Sequence, residues 1–184
     1  MISKRTFFQL PVVAAGAEYL VMGYLMRRNI LAYKAPPGNE GYDLICIHPD
    51  PRHHLKPNEL AQVRVQVKSR YATDHNYQVA LKEAAIDAFD YLVVAFMNIG
   101  FYHRKQAPVT AGQKEPEFYT LPTSFVREHH TRAASGWENL ILRGLEGEIE
   151  PYKNESGFEL IAQALGIDYP SRLENMQDTE VGEE

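Results

Sequence analysis

Asp43, in Gly41-Tyr42-Asp43-Leu44-Ile45, and the pair Gln66 and Lys68, in Val65-Gln66-Val67-Lys68-Ser69, offer a carboxylate, a side-chain carbonyl and an amine within two β-like runs. If the runs pair as an antiparallel hairpin, all three groups come to one end of a sheet. Alternation puts Gln66 and Lys68 on one face of the second run, with Val63, Val65 and Val67 on the other. Such a set suits metal-assisted phosphodiester hydrolysis, in which a divalent cation polarises a phosphate oxygen and lowers the pKa of an attacking water. Mg²⁺ prefers oxygen ligands, commonly one or two carboxylates completed by waters and substrate phosphate. Asp43 supplies one carboxylate, Gln66 a neutral side-chain oxygen, and the Val67 carbonyl a further oxygen. Beside a metal and a phosphate, Lys68 can orient the water, act as base if its pKa is depressed, or neutralise developing charge. Plain structural roles stay open to each: a strand-entry turn for Asp43, a structural polar group for Gln66, a solvated strand end for Lys68.

The elements that must position these groups follow from periodicity. Residues 12–29 read as a helix, with Val13, Ala17, Leu20, Val21, Tyr24 and Leu25 at helical spacing and Pro11 in its first turn. Asn29 is its expected cap, Ile30 to Tyr33 a short strand, and residues 35–41 a turn. Tyr42 to His48 forms a strand, Pro49 to Asn58 the hairpin loop, and Leu60 to Ser69 the next strand. Asn76 to Phe89 reads as a second helix. Tyr91 to Phe96 is a near-continuous apolar run, suited to a central strand covered on both faces. Gly100 to Arg104 and Phe118 to Leu121 read as further strands, and residues from Pro122 to about Thr131 as a short helix. Residues 133–154 look irregular, and Ser156 caps a last helix from Phe158 to Leu165, stopped by Gly166. The order implies an α/β fold, a mixed central sheet flanked by helices.

Glu18 adds a carboxylate on an otherwise apolar helix face, although a helix-surface position would explain it equally. With it the chain resembles the PD-(D/E)XK nuclease superfamily, whose fold is restriction-endonuclease-like. Gly16-Ala17-Glu18-Tyr19-Leu20-Val21 is similar to that family's glutamate-bearing helix. Gly41-Tyr42-Asp43-Leu44 is similar to its aspartate strand, and Gln66-Val67-Lys68-Ser69 to its third motif. Asp90-Tyr91-Leu92-Val93-Val94 and Phe118-Tyr119-Thr120-Leu121-Pro122 resemble its later strands. The resemblance spans residues 12–122 and implies an αβββαβ core, Mg²⁺ or Mn²⁺ as cofactor, and DNA as substrate. It also implies catalytic roles for Glu18, Asp43, Gln66 and Lys68, with Glu18, Asp43, Gln66 and Val67 as metal ligands. Gln66 stands where the family usually places Asp or Glu, which removes a negative charge and favours one metal over two. Ser69, Arg70 and Tyr71, which follow the lysine, are candidates for nucleic-acid contact, with a plain surface loop as the equal alternative.

Length and composition bound the rest. The 184 residues suit one domain over 1–167, with a C-terminal extension over 123–167. Segment 168–184 carries six acids and one base, enough to account for the whole net charge of −5, and reads as an acidic, disordered tail. The remainder is neutral overall, so local basic clusters can face a phosphate backbone: residues 52–56, 68–70, His103-Arg104-Lys105, and Arg127 with His129, His130 and Arg132. The single cysteine, Cys46, sits in an apolar run and fits a buried role and a reducing, cytoplasmic compartment. The first 17 residues loosely mimic a secretory signal, but Gln9 and Pro11 interrupt the apolar run, and no stretch is apolar enough to span a membrane. His48, His53 and His54 match no zinc spacing, and Trp137 reads as a packing residue of the extension. Two readings compete with a metal-dependent DNA endonuclease, which by analogy could pair as a homodimer. One is a catalytically inactive nuclease-fold module that binds nucleic acid or protein; the other is a structural oligomerisation protein.

Overall fold

The computed structural model describes residues 11–74, 77–101 and 108–168. The first ten residues, the strand expected through Arg104 and the tail beyond Asp168 lie wholly or largely outside them. Helix α1 (Pro11–Arg27) buries the stripe Ala17, Val21 and Leu25. It ends as expected at Asn29, whose φ of 59° is left-handed and lets the Ile30 amide reach back to the Leu25 carbonyl. Five strands then build a mixed sheet in the order β1 (Leu31–Lys34), β2 (Leu44–Ile47), β3 (Val63–Ala72), β5 (Tyr91–Gly100), β6 (Glu117–Pro122). The expected β2–β3 hairpin is present, with Leu44 opposite Val65. β3 and β5 run parallel, and the other neighbours antiparallel. The α/β architecture read from the sequence is therefore the one the chain adopts.

The central sheet is buried on both faces, as the apolar run of β5 predicts: Leu92 through Phe96 are fully buried. One face (Val63, Val65 and Val67 with Leu44, Cys46, Val93 and Ala95) packs under α1 and α4 (Asn154–Ala164). The Arg28 guanidinium ties these helices together through Glu155 and Glu159. The other face (Leu92, Val94, Phe96, Tyr119 and Leu121) packs against a second sheet of order β4 (Gln78–Ala80), β8 (Glu138–Ile141), β7 (His130–Arg132). Helices α2 (Thr123–His129) and α3 (Glu146–Ile149) complete that layer.

Four local expectations are corrected. The helix expected over 76–89 is absent from its described residues, 77–89. Instead Val79 and Leu81 alternate inward from a strand paired to β8, and Glu83–Ala88 make only a 3-10 segment. Pairing with β8 outweighs the helix propensity of the Leu-Lys-Glu-Ala-Ala stretch. Residues 133–154 are not irregular: β7 and β8 form a hairpin whose turn closes through Gly136 N–H to the Ala133 carbonyl and Ala133 N–H to the Trp137 carbonyl. Ser156 lies inside α4, which starts at Asn154; the Asn154 side chain instead accepts the Phe118 amide at 2.9 Å, joining α4 to β6. Trp137 is not a packing residue, being 69% exposed at the β7–β8 turn.

Candidate active site

Asp43 immediately precedes β2, and the hairpin register places it opposite Gln66 on β3. Its backbone is fixed on both sides: its N–H donates to the Val65 carbonyl (2.9 Å) and its carbonyl accepts the Ala35 N–H (2.8 Å). One carboxylate oxygen, Oδ2, accepts the Val67 N–H at 2.7 Å and a short hydrogen bond from the Gln66 side-chain amide. A carboxylate only accepts, so the Gln66 group that faces it is the NH₂, which also lies 3.3 Å from the Val67 carbonyl. Among the described residues no hydrogen bond reaches Asp43 Oδ1. The predicted meeting of Asp43 and Gln66 is thus present, and Gln66 is nearly fully buried there.

Gly41 sets the approach to this corner. Its φ is +111°, and a Cβ on it would lie 2.3 Å from the Ala88 Cβ, so no larger residue fits while the 3-10 segment stays in place. Next to it opens a cleft of about 760 Å³ between the β3 face and the second sheet. Gln66 and Lys68 form part of its floor, Glu40 and Gly41 one wall, Leu81 and Lys82 another, and the tip Ser135-Gly136-Trp137 overhangs it. The in-phase reading of Gln66 and Lys68 is therefore realised: both face this cleft, away from α1.

Glu18 is placed differently. Its carboxylate forms an ion pair with Lys34, the last residue of β1, on the same strand face as the buried Ala32. That pair sits on the α1 side of the sheet, at the strand ends nearest Asp43, and no hydrogen bond or ion pair joins Glu18 to Asp43, Gln66 or Lys68. Of the residues expected to contact nucleic acid, Arg70 alternates onto the cleft-side face of β3 and Ser69 onto the opposite one, while at Tyr71 the pairing with β5 is interrupted by a register shift between Arg70 and Ala72. Desolvation pulls the Arg70 guanidinium below its ordinary pKa, and no carboxylate among the described residues approaches it to compensate.

The distribution of paired charges is the main electrostatic feature. Arg64 grips Asp90 with a fork: Nη2 lies 2.9 Å from Oδ1, while Nε (3.2 Å) and the Arg64 backbone N–H (2.7 Å) both meet Oδ2. Those bonds raise the Arg64 pKa and clamp the start of β3 to β5. Arg127 pairs with Asp87, Arg132 with Glu138, Lys56 with Glu59, and Lys114 and Lys153 with Glu117. His130 Nε2 meets the Leu81 carbonyl, and His129 Nε2 lies 3.5 Å from Glu148 without a hydrogen bond, so the two arginines and His130 of the 127–132 cluster are already occupied. Among the described residues Lys68, Arg70 and Lys82 have no acidic partner, a condition shared with the exposed Arg27 at the far end of α1.

As a metal site, the corner offers Asp43 Oδ1, which no hydrogen bond reaches among the described residues, and the Val67 carbonyl, which faces the Gln66 NH₂; the Gln66 oxygen would join them only with its amide turned over. Such a set fits a hard cation such as Mg²⁺ or Mn²⁺. Among the described residues no group of three or more His, Cys, Asp or Glu converges, so a cation here would draw on one carboxylate and neutral oxygens. His53 is used elsewhere: its ring stacks on His48 at 3.8 Å, and its Nε2 lies 2.8 Å from Glu59.

Sequence reasoning missed Lys82 and Trp137. Lys82 was hidden by the helical look of its surroundings. Trp137 carried a usable signal: it follows the turn-forming Ser135-Gly136 and belongs to no apolar period.

Neither the protein-family models nor the curated proteins match this sequence. Among solved structures, the chain is similar to Hjc, a Holliday junction resolvase from the archaeal hyperthermophile Archaeoglobus fulgidus. The identity is 12% and the TM-score 0.41, covering 84% of this chain and 97% of that one. It is also similar to a bacterial homing endonuclease at 17% identity and a TM-score of 0.47, covering 92% of this chain and 99% of that one. No helix among the described residues is long and apolar enough to cross a membrane.

Proposed function

We propose that this protein is a metal-dependent nuclease of the PD-(D/E)XK type that hydrolyses phosphodiester bonds of DNA in the cleft beside Asp43, Gln66 and Lys68. The observation that carries the reading is electrostatic. Most basic side chains of the described residues are tied to carboxylates, yet Lys68 and Lys82 in the cleft, and Arg70 on the same face of β3, are left without one. Unpaired cations along one groove are what a phosphate backbone neutralises.

In this reading Asp43 would hold the cation, its Oδ2 being fixed by the Val67 and Gln66 N–H groups and its Oδ1 left free of hydrogen bonds among the described residues. When bound, a divalent cation supplies Lewis-acid polarisation of the phosphate and a water of lowered pKa. Gln66 holds the carboxylate in register through its side-chain NH₂, and an amide flip would be needed to offer its oxygen to the same cation. Lys68 stabilises the charge that develops on the phosphate oxygens and orients the attacking water. Glu18 is a reserve carboxylate held by Lys34 on the neighbouring strand. The test is cleavage of single-stranded and duplex DNA with Mg²⁺ or Mn²⁺. Lys68→Ala should abolish cutting without lowering the melting temperature, since Lys68 is half-exposed and unpaired. Equal cutting by a clean Lys68→Ala preparation would refute the assignment.

One observation favours a second reading, a binding module without catalysis. Asp43 is already satisfied by two N–H donors, and Gln66 brings no charge. Calorimetry with Mg²⁺ and Mn²⁺ on wild type and Asp43→Asn separates the two. Binding lost in Asp43→Asn supports the enzyme; no binding at millimolar cation, with DNA affinity intact in EDTA, supports the module.

A further inference from the structure

We infer that Trp137 is a base-stacking platform, which takes an unstacked nucleobase of the DNA strand whose phosphates lie along the cleft. The inference rests on the nucleic-acid reading above and adds to it a residue and a preference for unpaired strands.

Trp137 is 69% exposed, although an indole is among the most favourable side chains to bury. It is not loosely held. The turn beneath it is closed by two backbone hydrogen bonds (2.8 and 2.9 Å), with Gly136 at φ +82° supplying the left-handed corner. The next residue, Glu138, starts β8, which pairs with β7 on one side and β4 on the other. The Glu138 carboxylate accepts the Glu83 N–H at 2.6 Å and faces Arg132 at 3.8 Å, pinning the hairpin base. A rigid support thus presents a flat apolar ring to solvent at the rim of the cleft that Lys68 and Lys82 line.

The charges select the occupant. The lining carries Lys68 and Lys82, neither with an acidic partner among the described residues, and the acids Glu40 and Glu138, of which Glu138 already faces Arg132; the two lysines are the groups left to meet an anion. A ligand that satisfies both the lysines and the indole must combine phosphates with a flat ring, as a nucleotide strand does. Single-stranded nucleic acid is held in this manner, with phosphates on cations and bases on aromatic faces. In an intact duplex the bases are stacked on one another and unavailable, so the ring selects single-stranded or unpaired regions.

The chain contains one tryptophan, so emission excited to the red of tyrosine absorption reports on this residue alone. A short oligothymidylate is titrated into wild-type protein in EDTA while tryptophan emission is read. The affinity of the same labelled strand is read by anisotropy for wild type, Trp137→Ala, Trp137→Phe and Lys68→Ala. Quenching is expected on binding. Trp137→Ala should weaken binding roughly 5- to 150-fold, the loss of one base–aromatic stack. Trp137→Phe should retain most of the affinity, and a fully paired duplex should show little dependence on residue 137. Binding that is equally tight in Trp137→Ala, with unchanged emission in wild type, overturns the inference and leaves the nuclease reading standing. Absence of binding by wild type to any form of DNA overturns both.

Discussion

Replacing Gln66 by glutamate probes the candidate site most directly, because it converts a donor into a second carboxylate. Gln66 donates to Asp43 Oδ2 and is only 7% exposed. The substitution removes a hydrogen bond to a charged group, worth about 1.5–3 kcal/mol. It also sets two carboxylates about 4 Å apart, a repulsion of about 4 kcal/mol at an effective dielectric of 20. The full sum is not reached, because the pair can bind one proton and rebuild the contact as an O–H donor to a carboxylate. Holding that proton at pH 7 against an ordinary glutamate pKa of about 4.3 costs about 3.7 kcal/mol. The metal-free variant should therefore be destabilised by about 2–4 kcal/mol at pH 7.

The pH dependence has a definite sign. A carboxyl whose pKa is raised on folding makes the native state bind more protons than the unfolded chain, so the variant loses stability relative to wild type as pH rises. The loss begins near the unfolded value of about 4.3 and proceeds by up to about 1.4 kcal/mol per pH unit until the folded value is passed. Urea denaturation in EDTA, at about pH 4.5 and about pH 7.5, measures both quantities. Saturating Mg²⁺ should then restore more stability to the variant than to wild type, about 2.7 kcal/mol at a hundredfold excess over Kd. A penalty under about 0.5 kcal/mol, or one equal at both pH values, would refute the contact between residue 66 and Asp43.

Three other substitutions or probes test the scaffold. Gly41→Ala should cost about 2 kcal/mol in urea denaturation, through its positive φ and the collision with the Ala88 Cβ, and should weaken DNA binding by shifting the start of β2. Arg28→Ala leaves Glu155 and Glu159 facing each other at the α1–α4 contact; because both glutamates keep some solvent, a loss of about 1–2 kcal/mol is expected, reduced below about pH 4 as they protonate. Burial pushes the Cys46 thiol up to about 12, against an ordinary value of 9.0. Native protein at about pH 8 should therefore leave a thiol-reactive dye unconsumed, and labelling should track unfolding in urea. Rapid labelling under native conditions would contradict the buried position of β2.

The parts of the fold legible in the sequence are those in which one physical signal dominates. The α1 stripe, the continuous apolar run of β5 and the alternation of β3 each bury a large surface, and each element lies where the sequence reading put it. The parity of Gln66 and Lys68 followed from β3 alone, and the Asp43–Gln66 contact from the hairpin. Residues 76–89 misled because Lys82, Glu83, Ala84 and Ala85 are good helix formers, while the pairing of β4 with β8 depends on a partner some sixty residues away. The β7–β8 hairpin was invisible for the same reason: its strands are three and four residues long and gain stability from β4 and from the Leu140 anchor. Glu18 shows the limit for sites. An acid on an apolar helix face signals a partner, but only the packing of α1 on β1 identifies Lys34 as that partner.

The cleft-side row of β3 reads as a single gradient. Arg64 is clamped to Asp90, and Gln66 is bonded to Asp43; these two residues fasten β3 to its neighbours on either side. Lys68 and Arg70 come next on the same face, and neither has a carboxylate among the described residues. Arg70 is the telling one, because desolvating a guanidinium without a counter-charge costs stability. A surface acid opposite it would remove that cost, and the acids spent on Arg64, Arg127 and Arg132 show that the fold supplies such partners readily. Leaving this end of the strand uncompensated makes physical sense if an anion from outside completes it. Phosphates spaced along a nucleic-acid strand would meet Lys68 and Arg70 in turn, at the end of the row where the carboxylate of Asp43 waits two residues back.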